Sequence, residues 1–513
     1  MKKIADFICK HKSIILIITV VLFMLSLIGM RLTNINYDIL VYLPEDIETV
    51  KGQNILKDDF NMGAYSIVIA DNVTSKDLLK LEDKIKDIVG VNKVVSIYDV
   101  VGTNVPIEML PSEITNKMYK DNTTLFFVTF NDSTSSDTTI NAISEIRELS
   151  NDIKVSGMSS MVLDTMNLSD SEITIYVIIA VLLCLLVLEL FLDSYLAPIL
   201  LLANIGIAIL FNLGSNIVFG EISYITKALV AILQLGVTTD FSIFLYHSYL
   251  DKIKKYKTKE EAMSNAIVET FTSVIGSALT TMAGFLVLCT MNLTLGKDLG
   301  LVMAKGVLLG VICVITVFSS LLLCFDKYIE KTRHKVISIK FNKFNDFIIR
   351  NYKKVFVVFL LLLIPFYMAN SKVDVYYKID ESLPKTLESI SSNSELKSEF
   401  NLVSTEIVLV DKDMKLDTEK KMVDELESLD GIDMVLSYSK LKDSGLSIDM
   451  LPSDLSSLFV SDKYRLILLN SNYDVATDEL NNQIDEVNKI IKSYDSNAIF
   501  AGEGPLTKDL VDI

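Results

Sequence analysis

Long apolar runs alternate with polar stretches along this chain. A helix of about 20 apolar residues is long enough to cross the hydrocarbon core of a bilayer. The pattern therefore predicts seven membrane-spanning helices: Ser13–Met30, Ile173–Leu192, Ala197–Val218, Ile225–Tyr249, Ala266–Met291, Leu299–Phe325 and Val355–Met368. The first run has no small-residue cleavage site after it, so we expect it to stay in the protein as an anchor.

The two long polar segments, 33–170 and 371–513, repeat one another. The dipeptide Leu-Pro at 43–44 recurs at 383–384, and Met-Leu-Pro-Ser at 109–112 recurs at 450–453, which gives offsets of 340 and 341 residues. Gly157 and Gly502 lie at an offset of 345. Matches at nearly one offset indicate a duplicated unit.

Each copy predicts the element order β-α-β-β-α-β, which is typical of a ferredoxin-like plan. The elements expected in the first copy are Ala64–Ala70, Ser75–Ile88, Lys93–Tyr98, Thr124–Phe130, Thr138–Leu149 and Ile153–Gly157. Those expected in the second copy are Thr405–Val410, Asp417–Leu429, Met434–Tyr438, Arg465–Asn470, Thr477–Ile491 and Ala498–Ala501. The predicted fold class is thus a membrane α-helical bundle with two α+β domains outside the membrane.

Charge separates the two sides of the membrane. The chain is 50% hydrophobic, yet its net charge is −17. Lysine and arginine cluster before the first predicted span, after the fourth, and between the sixth and seventh. Because basic residues collect on the cytoplasmic side, we expect a cytoplasmic N-terminus. The membrane in which we expect the protein is the plasma membrane.

The predicted organisation has six parts. They are the N-terminus with the first span (1–32), an outer domain (33–170), a five-span bundle (171–326), a cytoplasmic amphipathic linker (327–353), a seventh span (354–370) and a second outer domain (371–513). Since the first copy is followed by a bundle, duplication predicts a second bundle that this chain lacks. A homo-oligomer or a second half-chain would then complete the assembly.

Asp240 lies in the middle of the fourth predicted span. A carboxylate in hydrocarbon costs about 2.5–3.5 kcal/mol on insertion scales, so it is expected where a polar path or a proton relay needs it. Burial favours the protonated form, so we expect this carboxyl to exchange protons near neutral pH. The alternative is a structural aspartate held by hydrogen bonds between helices.

Several polar neighbours are candidates for the same proton-coupling site. The hydroxyl groups expected near the carboxyl are those of Thr238, Thr239, Thr280 and Thr281. His247 lies seven residues further along the same helix face, and it is either a proton shuttle or an ordinary interfacial histidine. Lys305 is a counter-ion to Asp240 or, as we favour, a lysine that snorkels to the outer surface. Gly284 and Gly306 are expected to allow close helix packing.

Other chemistry has no sequence signal. The five cysteines lie in or beside predicted spans, so no disulfide framework is expected in the outer domains. Neither a metal-ligand spacing, a phosphate-binding loop nor a nucleophile elbow is present. We therefore expect no cofactor, no metal, no nucleic-acid partner and no enzymatic activity.

Three motifs resemble the MMPL branch of the RND superfamily of transporters. They are Gly236–Tyr249 around Asp240, Ser277–Phe285, and Gly300–Val307. The resemblance implies outer domains of the porter type and assigns Asp240 the role of proton acceptor. The sequence departs from the family pattern at Phe241, where a tyrosine is usual, and at Ser248, where an arginine is common.

The resemblance implies export of a lipid or hydrophobic small molecule driven by the proton-motive force. Three alternatives remain open at this point. The five-span block also resembles sterol-sensing domains, which bind lipid without proton flux. The second alternative is a protein-export auxiliary, as in other branches of the superfamily. The third is an inactive truncated transporter.

Overall fold

The chain folds into two units, which we describe separately. A computed structural model describes residues 1–101, 118–336, 342–372, 383–443 and 457–512. Residues Met1–Asn36 and Asp170–Val375 form one unit, here called the helical unit. Residues Tyr37–Ser169 and Tyr376–Ile513 form the other, here called the repeat unit. The two predicted outer segments thus belong to a single unit.

Helices dominate the described residues. In chain order they are α1 (Lys2–Lys10), α2 (Lys12–Leu32), α3 (Glu48–Phe60), α4 (Ser75–Lys86), α5 (Ile97–Val101), α6 (Asp137–Glu148), α7 (Met158–Phe191), α8 (Leu196–Gly214), α9 (Tyr224–Ile253), α10 (Lys259–Val287), α11 (Thr294–Cys313), α12 (Ser319–Lys331), α13 (Asn342–Asn370), α14 (Glu388–Phe400), α15 (Leu416–Glu427), α16 (Tyr438–Asp443), α17 (Asp478–Tyr494) and α18 (Glu503–Asp512). Short 3-10 turns lie at Ile39–Tyr42, Ser215–Phe219 and Leu288–Thr290, and a π-helical turn at Val314–Phe318 joins α11 to α12.

The strands that the structure describes form three sheets. In chain order they are β1 (Asn34–Asn36), β2 (Ala64–Ala70), β3 (Val91–Val95), β4 (Tyr119–Lys120), β5 (Thr123–Phe130), β6 (Ile153–Ser156), β7 (Glu221–Ser223), β8 (Ser404–Asp411), β9 (Ile432–Ser437), β10 (Tyr464–Ser471) and β11 (Ile499–Gly502). β1 and β7 form a small parallel sheet in the helical unit. The other strands belong to the repeat unit.

Within the described residues, six helical segments are long and apolar enough to cross a membrane. They are Lys12–Leu32, Met158–Phe191, Leu196–Phe219, Tyr224–Ile253, Lys259–Thr290 and Thr294–Lys331. Each contains most or all of one of the first six predicted spans. In hydrocarbon a single segment satisfies all its backbone hydrogen bonds only as a helix. The length and composition of the apolar runs were therefore enough to predict these helices from the sequence.

The seventh predicted span is not confirmed. Val355–Met368 lies within α13, which has a non-helical backbone at Asn351 and contains Pro365. Its apolar stretch is shorter than the ~18 residues expected of a spanning helix. The predicted amphipathic linker is divided between α12, a stretch outside the described residues, and the start of α13.

The core of the helical unit lies between α8, α9, α10, α11 and α12. From α9 the buried side chains Phe241, Leu245, Tyr246 and Tyr249 contribute to it. The short helix α1 packs at one end of this core, where Ala5 and Cys9 are buried. We call this the amino-terminal end of the unit, and we call the opposite end, which contains β1 and β7, the sheet end.

The repeat unit contains two antiparallel sheets of the same strand order. The first has the order β3-β5-β2-β6, with β4 paired to β5, and the second has the order β9-β10-β8-β11. The predicted sequence of strands and helices is present in each copy. Strand β4 was not predicted, because two residues are too short to show a period.

The two copies exchange a helix. Helix α3 of the first copy packs against β11 of the second, and α14 packs against β6 of the first. At Gly52 in α3, a Cβ would lie 2.7 Å from the Cβ of Ala501, so the contact requires glycine. The exchange ties the copies into one unit. The repeated Met-Leu-Pro-Ser sequences at 109–112 and 450–453 lie outside the described residues.

Candidate functional site

Asp240 lies in α9 as predicted, but its side chain is exposed on the surface of the helical unit. The expectation of a carboxylate buried within this bundle is therefore wrong. Asp240 has neither a hydrogen bond nor an ion pair to any residue that the structure describes. Polar residues of α9 lie on both its buried and its exposed faces, so the sequence could not show which face is covered.

The predicted threonine partners bond to their own helices instead. Thr238 donates to the Gln234 carbonyl at 2.6 Å, and Thr239 donates to the Leu235 carbonyl. Thr280 and Thr281 both donate to the Ser277 carbonyl, at 2.8 and 3.0 Å. A hydroxyl in an apolar helix commonly satisfies its donor on the preceding turn in this way. None of these described hydrogen bonds reaches Asp240, so the place of the four hydroxyls in a proton-coupling site stays a prediction.

The surface around Asp240 mixes small, polar and apolar side chains, since Phe244, one turn after Asp240, and Leu279 on α10 are also exposed. On α9 the exposed positions Gly236, Asp240 and His247 share one face at spacings of four and seven residues. Helix α10 packs beside α9 and exposes Gly276, Ser277, Thr280, Ala283 and Gly284. A Cβ added at Gly236, Gly276 or Gly284 would meet nothing within 4 Å. The predicted close packing at Gly284 is thus absent among the described residues.

His247 is exposed, and its imidazole lies 6.0 Å from the ring of Tyr246 at a tilt of 56°. It shares the face of Asp240, as its spacing predicted. This position is compatible with either of the two roles considered for it.

The opposite side of α9 is buried and also polar. Asn212 of α8 donates to Gln234 Oε1 at 3.1 Å, and Gln234 donates to the Gly306 carbonyl at 3.0 Å. A Cβ at Gly306 would overlap the Asn212 amide, so the predicted close packing at Gly306 is confirmed. At Gly310, one turn along α11, a Cβ would overlap Thr238. Glycines four residues apart thus let α11 approach both α8 and α9.

Lys305 is not a counter-ion to Asp240 in this structure. Its ammonium donates to the Asn212 carbonyl at 3.0 Å and to Asn216 Oδ1, near the last turn of α8. It also lies 5.0 Å from the centre of the Phe219 ring. These partners lie toward the sheet end, which agrees with the expected snorkelling.

Two tyrosines fix the other end of α9. The Tyr246 hydroxyl donates to Asp193 at 2.7 Å, and the Tyr249 hydroxyl donates to Asp326 at 2.7 Å. Each carboxylate also has a basic partner, which is Arg333 at 3.6 Å from Asp193 and Lys259 beside Asp326. Tyr249 lies nine residues from Asp240, which is half a turn round the helix, so the anchor and the exposed carboxyl face opposite ways.

Replacing Tyr249 with phenylalanine is expected to destabilise the helical unit. The substitution keeps the buried ring and removes a hydrogen bond to a charged group, at a cost of about 1.5–3 kcal/mol. Unfolding in detergent micelles, followed by circular dichroism, measures this. The matched control is Tyr256→Phe, since Tyr256 is exposed and its hydroxyl has no hydrogen bond in the described residues. Equal midpoints for the two variants would contradict the prediction.

The repeat unit contains a cavity of about 140 Å³ between its two copies. Equivalent positions of both copies line it, among them the pairs Leu56 and Leu396, Met62 and Leu402, Ile67 and Ile407, and Gly157 and Gly502. Polar residues such as Gln53, Asn393 and Glu503 lie among the apolar ones in its walls. Two lining hydroxyls, on Ser66 and Ser159, are buried and have no hydrogen-bond partner in the described residues. The cavity thus has walls of mixed polarity.

A buried carboxyl lies on β8, beside this cavity. Glu406 accepts hydrogen bonds from the Gly504 backbone N–H at 3.1 Å and from the Ser404 hydroxyl. Burial raises the pKa of Glu406 from 4.5 to about 8, and the negative charge of Glu503 adds to the rise. At Gly502 a Cβ would overlap Glu406 Oε2, so the backbone fits closely around the carboxyl. The equivalent position in the first copy is Ser66, so the duplication alone gave no signal for this group.

The raised pKa of Glu406 predicts that stability falls as the pH rises. The folded state holds the proton more tightly than the unfolded state, so the gain is complete below about pH 4.5 and is lost as the pH approaches 8. The change is on the order of 3–5 kcal/mol across this window. Thermal unfolding from pH 5 to 8 measures it in wild type and in Glu406→Gln. The glutamine variant is expected to lose this slope, and an unchanged slope would contradict the assignment.

Comparisons with known proteins relate the chain to a family of membrane proteins. A family model described as the MMPL family matches residues 67–350, more than half of the chain. ActII-3 of Streptomyces coelicolor is 31% identical over 104 residues, which are 20% of this chain and 15% of that protein. MJ1562 of Methanocaldococcus jannaschii is 33% identical over 97 residues, which are 19% of this chain and 25% of that protein. The matched stretch is less than two thirds of either relative, and both names describe membrane proteins without a substrate.

The long apolar helices and the family match define the class of the protein, which is a multi-pass membrane protein. The chain belongs to the MMPL family.

Proposed function

We propose that the protein uses the proton gradient to export a lipid or hydrophobic small molecule across the cell membrane. The observation on which this rests is Asp240, a carboxyl on the exposed face of a membrane-spanning helix, within the motif that resembles the MMPL proton site. A charged group is costly against lipid, so a polar role is required of it. Family membership is consistent with this kind of transport.

The exposed face around Asp240 needs a cover in the membrane. Glycine, serine and threonine on α9 and α10 are the residues that let another helix approach closely. A second helix bundle, from another copy of this chain or from a second half-chain, would shield the carboxyl and favour its protonated form. Protonation would then bias the position of α9, provided that the proton binds one state more tightly than the other.

The repeat unit would handle the substrate. Its two sheets share one strand order, and the resemblance assigns ferredoxin-like porter domains to this part of the chain. The cavity between the copies is close in size to one that holds a single benzene ring, about 150 Å³. It would accept a ring or a short part of an acyl chain, so a whole lipid requires the copies to separate.

Three further expectations from the sequence are part of this proposal. They are a seventh span within α13, a cytoplasmic N-terminus, and the absence of enzymatic activity. The rival function is a lipid sensor like a sterol-sensing domain, because the five-span block resembles one and binding needs no proton flux.

Proton flux in proteoliposomes separates the two functions. Purified protein is reconstituted with a pH-sensitive dye inside, and a short-chain fluorescent phospholipid is supplied under an imposed pH gradient. An exporter makes the dissipation of the gradient depend on the added lipid. A sensor binds the same lipid and leaves the gradient unchanged, and that result would overturn the proposal.

A further inference from the structure

Lys305 is a cation within a membrane-spanning segment, and all the partners described for it are neutral. Its ammonium contacts the Asn212 carbonyl, Asn216 Oδ1 and the face of the Phe219 ring. No carboxylate of the described residues lies within the 4.0 Å of an ion pair. Lys227 gives the contrast, because its ammonium lies 2.8 Å from Asp170. Lys305 thus carries a charge that the described protein does not balance.

The local structure offsets this charge only in part. The Asn212 carbonyl belongs to the last turn of α8, where the helix dipole presents partial negative charge. A helix end supplies roughly half a charge, and a lysine in the membrane normally pairs with an anion or reaches water. Capping of α8 therefore explains the position of the ammonium and leaves net positive charge beside it.

A second group at the same place lacks a partner. Asn216 is fully buried, and its Nδ2 has no hydrogen bond in the described residues. Its Oδ1 faces the ammonium of Lys305, which fixes the orientation of the amide and leaves Nδ2 as a free donor. The ammonium of Lys305 and the unused amide N–H of Asn216 are neighbouring hydrogen-bond donors. Such a pair of donors favours an anionic acceptor such as a carboxylate or phosphate.

The surface beside these donors is apolar as far as Phe219, and the exposed Glu221 lies two residues beyond it. Ile217, Val218 and Phe219 follow Asn216 directly, and all three side chains are exposed. They continue the segment Leu196–Phe219 that is apolar enough to cross a membrane. A ligand that reaches Lys305 along this surface would meet apolar side chains first and the donors at its head, which is the pattern of an amphiphile.

We propose that Lys305, Asn216 and Phe219 form a binding site for the anionic head group of a single-chain amphiphile drawn from the surrounding lipid. The head group is a phosphate or a carboxylate, and it accepts a hydrogen bond from the ammonium. Asn216 Nδ2 is enclosed in this structure, so it donates to the head group only when the Ser215–Phe219 turn opens. The acyl chain lies along Ile217 and Val218. The site is on the opposite side of α9 from the face of Asp240, and binding requires no gradient.

The test compares ligands that differ only in charge. The whole chain is placed in phosphatidylcholine nanodiscs, and binding of lysophosphatidic acid is measured against monoacylglycerol with the same acyl chain. We expect wild type to bind the phosphate form about tenfold more tightly, which corresponds to the difference that one charge-assisted contact makes. Wild-type protein that does not distinguish the two ligands would overturn the proposal without any variant.

Variants then locate the preference. Lys305→Met keeps the length of the side chain and is expected to abolish the preference, whereas Lys305→Arg is expected to keep it. The matched control is Lys227→Met, which removes a lysine that already has an acidic partner and should bind as wild type does. A Lys305→Met protein that folds and still prefers the phosphate form would disprove the site. If that variant does not fold, Asn216→Ala is measured instead and is expected to weaken the preference.

Two further outcomes separate the source of the anion and the proposed transport. Glycerol 3-phosphate has the head group without the chain, so it should compete poorly, and strong competition would mean a site for free anions instead. Charge-selective binding without lipid-dependent proton flux would refute the export function and leave this site intact. Lipid-dependent proton flux without charge-selective binding would refute this site and leave the export function intact.

Discussion

Replacing Asp240 with asparagine should abolish gradient-driven export while the protein remains folded in the membrane. Asparagine has the size of aspartate and does not exchange a proton, so it removes the coupling group alone. The side chain makes no described hydrogen bond or ion pair, so its replacement leaves the packing of α9 unchanged. Lipid-dependent acidification of proteoliposomes should fall to the level of protein-free liposomes.

The matched control for this prediction is Asp251→Asn. Asp251 is also exposed on α9, and its ion pair with Lys254 at 3.9 Å is a surface contact between two exposed side chains. Such a pair contributes little, so transport by this variant should equal that of wild type. Normal transport by the Asp240 variant would refute proton coupling at this position, and loss of transport in both variants would show that any change in α9 suffices.

The spans and the duplication could be predicted because both depend on local patterns. Runs of apolar residues located six membrane-crossing segments, although α7 begins at Met158, well before the predicted Ile173. The offset of 340 residues is confirmed at atomic detail. Helices α3 and α14 have the same length, and each ends at an asparagine in the left-handed conformation, Asn61 and Asn401.

The environment of Asp240 could not be predicted, because it depends on what packs against α9. The sequence identified the carboxyl and the face that it shares with His247. It did not show that this face is open, or that the polar partners of α9 lie on the buried side. Tyr246 and Tyr249 each bond a carboxylate that is more than fifty residues away, and no local pattern links such pairs.

The exchange of α3 and α14 between the copies is another long-range feature. Equivalent helices could pack on their own copy or on the other one with the same hydrophobic face. The structure shows that each helix packs on the other copy, and the fit of Gly52 against Ala501 is one such contact. Duplicated sequences therefore predict equivalent elements without predicting their partners.

A second large effect is expected at Arg465, which forms a buried ion pair in the repeat unit. Its Nε lies 2.9 Å from Glu419 Oε2, and both side chains are almost completely buried, at 6% and 0% exposure. Glu419 also accepts a hydrogen bond from the Ser439 backbone N–H at 3.0 Å. The position equivalent to Arg465 in the first copy is Leu125, so this pair is specific to the second copy.

Arg465→Met should destabilise the repeat unit by about 3–5 kcal/mol, because it leaves the Glu419 carboxylate buried without its cation. Denaturant unfolding of the whole chain, followed by tyrosine fluorescence, measures the loss. The double variant Arg465→Met with Glu419→Met should recover most of it, since a buried pair of apolar side chains is often as stable as the ion pair it replaces. If the double variant is no more stable than Arg465→Met, packing around the guanidinium accounts for the loss, and the unpaired carboxylate does not.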